Sequence, residues 1–382
     1  MLEQRTLDYV GEHRQEALDL LLRLAVIPAF SGREERRAAF CKDWLQAQGA
    51  QGVYIDEALN VVFPINCEGE GPIRVFMAHS DVVFPDEQPL PLRQEEGKIF
   101  CPGIGDNSAN VVALLMAMKY LAQTGLSPAD GGVLLVINSG EEGLGNLKGC
   151  RALMDRYGGR VRELVTFDSM DQGYAVNRAV GSMRYRVSVK TAGGHSFNAF
   201  GNKNAITHLA ELICALDKVV LPKEGKTTYN VGRITGGTSV NTIAQDAEMH
   251  YEFRSDSAES LAYMKDFFER TVKAFDLPSA RLTVTPIGER PCGVKVDEGA
   301  QGALEKRAKA AYLAHYGREV SFVPGSTDCN IPLSMGIPAL CVGCCQGKGA
   351  HTREEYVEID SLLPGLCLCF EMILPFFEYT EP

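Results

Sequence analysis

The amino-acid sequence predicts an α/β protein: a mostly parallel, doubly wound domain interrupted by an inserted ferredoxin-like α+β domain. Three observations lead there. Short, β-prone apolar runs without polar alternation recur at Ile73–Ala78, Val133–Asn138, Leu164–Phe167 and Ile337–Val342. Such runs fit strands buried on both faces of a parallel sheet. Helical patterns lie between them, among them Asn110–Leu121 and Leu304–Tyr316, the alternation of a doubly wound core. The middle of the chain follows another rule, with strands that alternate between apolar and polar residues.

In chain order, the first segment (MLEQRTLDYVGEHRQEALDLLLRLAVIP) reads as amphipathic helix closing near Pro28. Its apolar stretches are broken by Arg23 and preceded by charge. That differs from a signal peptide or a membrane span, which needs about 20 apolar residues. The parallel-sheet runs follow. Then come Met183–Thr191 as strand, Ala205–Leu216 as helix, Thr228–Ile234 and Ala247–Arg254 as strands, Ala258–Phe275 as helix and Arg281–Ile287 as strand. The order β-α-β-β-α-β is that of a ferredoxin-like unit. The expected domains are residues 1–177 with 292–382, and an inserted domain of residues 178–291.

A chain of 382 residues has room for two such cores. Its formal net charge of -11 argues against nucleic acid or an anionic membrane as partner. With no export signal, the twelve cysteines read as reduced thiols of a cytoplasmic protein. Cys341, Cys344 and Cys345 fit a buried strand better than a zinc site, because no second CxxC completes one.

The potential metal ligands fall at strand ends. His79 and Asp81 follow the first run, Glu141 and Glu142 the second, and Asp168 closes the third. His351 lies in the glycine-rich loop after the fourth, and Asp106 precedes the helix starting near Ala109. In an open parallel sheet the carboxyl ends of the strands share one edge, where ligands bind. His79 and Asp81 are two apart, so Asp81 is placed to accept a hydrogen bond from the imidazole nitrogen that faces away from a metal. Asp106, in its turn, can reach two ions at once, which offsets repulsion between cations about 3.5–4 Å apart. Of the adjacent Glu141 and Glu142, one can bind metal while the other takes a proton from water. Nitrogen and oxygen ligands without obligatory thiolate suit two Zn2+, with Co2+ or Mn2+ as substitutes. His13, His208, His250 and His315 have no such setting and read as ordinary hydrogen-bonding histidines. Asp328, in PGSTDCN, reads equally as a residue near the site or as a turn residue, and Glu355 as a residue that orients the His351 loop.

The motifs AHSDVV, GIGDNSAN, NSGEEG, TFDSMD, AGGHS, GGTSVNTIAQDAEMHYEFRS and GAHTREEYVEID, in this order, resemble those of the M20 metallopeptidase superfamily. That group comprises exopeptidases and N-acyl amino acid hydrolases. The resemblance implies a dizinc catalytic domain and an inserted lid/dimerisation domain. It implies His79 and Asp168 on one zinc, Glu142 and His351 on the other, and Asp106 between them. Glu141 would be the general base and Asp81 the partner of His79. His195 would stabilise the oxyanion, a role that needs a donor aimed at developing charge. Asn241 and Arg254 would hold the substrate, the latter by its carboxylate, which suits a planar guanidinium. Aspartate at 168 is the form typical of the peptidases.

The resemblance therefore implies a hydrolase of short peptides, homodimeric through the lid. An N-acyl amino acid amidohydrolase has the same motifs and a different acyl pocket. A non-catalytic metal-binding protein on the same fold would be expected to lack Glu141 or a ligand, and none is missing.

Overall fold

The structure, a computed structural model, describes residues 1–379; the last three residues of the expected 292–382 segment lie outside the described residues. The chain forms two compact units, Met1–Ala179 with Val294–Pro382, and Val180–Gly293.

The larger unit is built on an eight-stranded sheet. Its inner strands, Gly132–Asn138, Ile73–His79, Val161–Phe167 and Ala339–Val342, are parallel neighbours in that order. Val61–Ile65 and Tyr54–Ile55 extend one side antiparallel. On the other side Tyr174–Ala179 meets Ala339–Val342 antiparallel and pairs in parallel with Ser321–Gly325.

Side chains of one strand alternate between two cores. Phe76, Ala78, Leu135 and Ile137 face a core closed by the helices Arg14–Ala25, Ala109–Thr124, Glu298–Tyr316 and Ile359–Ile373. Val75, Met77, Leu134 and Val136 face a smaller one with Cys150, Leu153 and Met154 of the helix Lys148–Tyr157. Burial on both faces is why these runs carry no polar alternation. Cys341 lies on its strand, whereas Cys344 and Cys345 follow the strand's end at Val342 and are buried all the same.

Among the described residues, one stretch, Ile359–Phe376, is long and apolar enough to cross a membrane; half of it is buried within the fold. Glu371 sits on its helix and accepts from the Leu2 N–H at 2.8 Å and faces His315 Nε2 at 3.3 Å. Burial alone would raise this carboxyl, but His315, the terminal amine and the Leu2 N–H pull it down to about 2. A folded-state pKa below the unfolded one adds stability above the unfolded value, near 4.5, and that stability is lost as pH falls towards 2. Glu371→Gln is therefore expected to cost about 2 kcal/mol at pH 7 and almost nothing at pH 2. Urea melts at the two pH values check this; equal costs at both would refute it.

In the smaller unit, four antiparallel strands run Thr227–Gly236, Asp246–Ser255, Gly181–Thr191, Ala280–Arg290. Tyr185, Val187, Tyr251 and Phe253 point to the helices Ala205–Leu216 and Ala258–Phe275, where Leu209, Leu212, Met264 and Phe268 meet them. Asn204 and Ser257 cap those helices by accepting backbone N–H groups of their first turns. The arrangement is ferredoxin-like.

Candidate metal centre

The inner strands end together, and register brings their loops into one crevice. His79 is the last residue of its strand, aligned with Asn138, three residues before Glu141. Asp168 follows Phe167, which aligns with Val342. His351 sits between Gly347–Lys348 and Tyr356–Glu358, in the left-handed region at φ 63°. Histidine tolerates that region better than most residues.

His79 is buried. Its Nε2 stands 3.2 Å from Asp106 Oδ1 and 3.3 Å from Asp168 Oδ1. His351, half exposed, places Nε2 3.1 Å from Asp106 Oδ2 and 2.8 Å from Glu142 Oε1. Asp106 thus gives one oxygen to each imidazole. Two triads result, His79–Asp106–Asp168 and Asp106–Glu142–His351, and a third group joins His79 to Glu141 and Glu142.

These spacings fit cations. Atoms bonded to one zinc at about 2.0–2.1 Å in a tetrahedron lie about 3.3 Å apart. The electrostatics agree, because carboxylates outnumber imidazoles here. Asp106 and Glu142 hold the His351 imidazole up at about 10. Burial opposes protonation of His79, but Asp168, Asp106 and Asp81 hold it well above its usual value. Burial would raise Asp106, yet His351 and His79 keep it well below the ordinary carboxylate range. Glu142 is raised, chiefly by burial. The crevice demands positive charge, which bound cations would supply.

Asp81 does more than face the imidazole. Its Oδ1 lies 3.4 Å from His79 Nδ1 and accepts the Glu141 N–H at 3.0 Å; Oδ2 accepts the Glu142 N–H at 2.8 Å. Burial would raise this carboxyl, but His79, the Ser31 hydroxyl and the Glu142 N–H bring it below its usual value. Glu355 accepts the N–H groups of Gly103, Gly105 and Asp106 at 2.9, 2.8 and 2.8 Å, and so orients the Asp106 loop as well as its own. Asp106 joins Asn107 through a cis peptide bond.

Asn110 was not singled out from the sequence. Its Nδ2 donates to the Gly105 and Ser169 carbonyls and to Asn107 Oδ1, and its Oδ1 accepts the Cys344 N–H at 2.7 Å. The available signal was an asparagine opening an otherwise apolar helix. Asp328 is buried below the crevice, where Asn138 Nδ2 donates to it at 2.7 Å, and burial pushes it up to about 7.

The remaining candidates belong to the smaller unit. The pairing of Gly194–His195 with Thr242–Ile243 sets His195 beside Asn241, whose carbonyl accepts the Ser196 N–H at 2.9 Å. Both side chains are exposed. Arg254 stands on the Asp246–Ser255 strand, where Nε and Nη2 grip Glu252 at 3.0 and 3.1 Å. That pairing leaves its Nη1 edge outside the fork.

Comparison with known proteins adds a family. The sequence profile of peptidase family M20/M25/M40 matches residues 75–374. A succinyl-diaminopimelate desuccinylase of Corynebacterium glutamicum is 25% identical over 370 residues, covering 93% of this chain and 94% of the relative. A tripeptidase from Staphylococcus aureus has a similar structure, with TM-score 0.74 and 24% identity over 94% of this chain and 97% of that one. A Bacillus subtilis protein described as a dinuclear metal binding peptidase aligns with TM-score 0.64 and 16% identity, over 96% of this chain and 99% of its own. The two structures speak for the fold.

Proposed function

Because this chain belongs to peptidase family M20/M25/M40, we propose that it hydrolyses the peptide bond of short peptides with two zinc ions in the His79–His351 crevice. The observation that carries this reading is Asp106, whose two oxygens each face a different imidazole. His79 and Asp168 would hold one cation, Glu142 and His351 the other, and Asp106 both. Bound there, the pair supplies a polarised carbonyl and a water of lowered pKa.

The chain's own residues supply the rest. Glu141 accepts the proton of the attacking water and returns it to the leaving amine. Its backbone is fixed by Asp81 while its neighbour Glu142 binds. His195 donates to the oxyanion, Asn241 beside it positions the substrate, and the free edge of Arg254 takes the substrate carboxylate.

The inserted unit would serve as lid and as dimer surface. Support comes from the exposed Phe197, Phe200, Ile206, Ile234 and Val240, and from the Thr227–Gly236 strand at a sheet edge. The free, mostly buried thiols favour a reducing cytoplasm.

An N-acyl amino acid amidohydrolase would use the same crevice, and the desuccinylase relative keeps that reading as the alternative. Metal analysis joined to a panel of free dipeptides, tripeptides and N-acetyl or N-succinyl amino acids decides between them. We expect about two equivalents of zinc, loss of activity on chelation, recovery on zinc add-back, and preference for unblocked peptides. Preference for N-acyl substrates would establish the alternative. Zinc binding without hydrolysis of any substrate would leave a non-catalytic protein.

A further inference from the structure

The ligand loops rest on a part of the chain that provides no ligand. The turn Ser31-Gly32-Arg33-Glu34 leads into the helix Glu35–Ala47. Gly32 adopts φ 86°, and its N–H donates to Glu34 Oε1 at 2.8 Å. The same oxygen accepts the N–H of Gly140 at 3.0 Å, from a residue 106 positions away. The Ser31 hydroxyl donates to Asp81 Oδ2 at 2.7 Å.

Asp81 already takes the Glu141 and Glu142 N–H groups. The consecutive amides of Gly140, Glu141 and Glu142 therefore all end on carboxylate oxygens, the first on Glu34 and the next two on Asp81. Gly140 itself is left-handed, at φ 62°. The chain that follows also donates to this loop, Lys148 N–H to Gly140 O at 3.2 Å and Gly145 N–H to Glu142 O at 2.7 Å, so the carboxylates fix the amide side of a loop whose carbonyl side is held from behind.

A local explanation for Glu34 does not suffice. It occupies the N-cap position of its helix, yet its side chain makes no capping hydrogen bond there. It has no solvent exposure, and burying a carboxylate is costly unless its acceptors are used; only Oε1 is used, by Gly32 and Gly140, while Oε2 is buried without a hydrogen-bond partner. Its reach is to the Gly140 loop. Arg37, one turn on and equally buried, ties the same segment down by donating to the carbonyls of Ala25, Ile27 and Ser80. The Val82 N–H also closes on Ala29 O at 2.8 Å. One short segment thus holds both the His79–Asp81 and the Gly140–Glu142 loops.

We propose that Ser31 and Glu34 are positioning residues: Glu34 holds the backbone ahead of Glu141 and Glu142, and Ser31 holds Asp81 against His79. This inference rests on the reading of Glu142 as a metal ligand and Glu141 as the base. Acceptors of this kind orient ligands without touching the metal, and removing one typically costs about 10–100-fold in metal affinity or activity.

The test compares Glu34→Met, which keeps the volume without an acceptor, with Glu34→Gln, which keeps a carbonyl in the same place. Zinc titration by calorimetry and steady-state kinetics on the best substrate of the panel are both read. Glu34→Met is expected to bind the first zinc as the wild type does and the second about 10–100-fold more weakly, with kcat lowered by a similar factor and KM little changed. Glu34→Gln is expected to recover both to within about threefold of wild type. Wild-type zinc affinities and kcat in Glu34→Met overturn the assignment, and so does a folded Glu34→Gln no better than Glu34→Met.

Should Glu34→Met not fold, Ser31→Ala decides. It is expected to weaken zinc by about tenfold, and unchanged affinity overturns the proposal. If the wild type takes up two zinc ions but hydrolyses nothing, the peptidase reading fails. The calorimetric comparison then still decides the role of Ser31 and Glu34.

Discussion

Glu141→Gln is expected to lower kcat by about 10²–10⁴-fold with both zinc equivalents retained. Glutamine matches glutamate in length and leaves the backbone N–H on Asp81 Oδ1, so the loop keeps its course. What it cannot do is take up a proton from water. Glu142 cannot substitute, since its carboxylate lies 2.8 Å from His351 Nε2 and belongs to a triad. Loss of turnover with normal zinc content, measured on one preparation, separates a proton-transfer role from a ligand role. Undiminished turnover at full occupancy would remove Glu141 from the mechanism. Loss of one zinc would make it a ligand instead.

Asp106→Ala is expected to be more severe. The variant should retain less than one equivalent of zinc after dialysis and lose about 10³-fold or more of its activity. The reason is geometric. Oδ1 belongs with His79 and Oδ2 with His351, so one truncation takes a ligand from each triad and leaves two cations with no shared counter-charge. Asp168→Ala is the control, since that carboxylate faces only the His79 triad and its loss should release one ion. Two zinc ions retained in Asp106→Ala would refute the shared role.

Much of this crevice was legible in the sequence because its candidate ligands follow strands of the easiest kind to read. Ile73–His79 and Gly132–Asn138 are buried along nearly their whole length, so their apolar runs stand out and their ends point to His79 and Glu141. The flanking strands were not legible. Val61–Ile65 contains Pro64, Tyr174–Ala179 contains Asn177 and Arg178, and Ser321–Gly325 contains Pro324. The first is buried only over Val61–Phe63 and is cut short by Pro64, and the other two are only partly buried, so no full-length apolar run or alternation marks them. In the smaller unit, alternation and helical spacing were both clear, because one face of each strand meets helices and the other does not.

Within the crevice, residue type and strand end made His79, Asp81, Asp106, Glu141, Glu142, Asp168 and His351 readable as a group. Glu34 and Asn110 were not readable, because each acts through hydrogen bonds to backbone that is distant in sequence. No spacing rule reports such a bond. Arg254 shows the complementary limit. A strand-end position and a guanidinium are visible in sequence, but its grip on Glu252 is not.

The strand Ala339–Val342 lies between Val161–Phe167 and Tyr174–Ala179, two strands that are neighbours in the chain and are parted in space by a segment translated some 160 residues later. A nascent chain halted before Ala339 therefore has a gap in the middle of its larger sheet and lacks His351 altogether. The larger sheet can close, and the second triad can form, only once the chain has been made and released past His351.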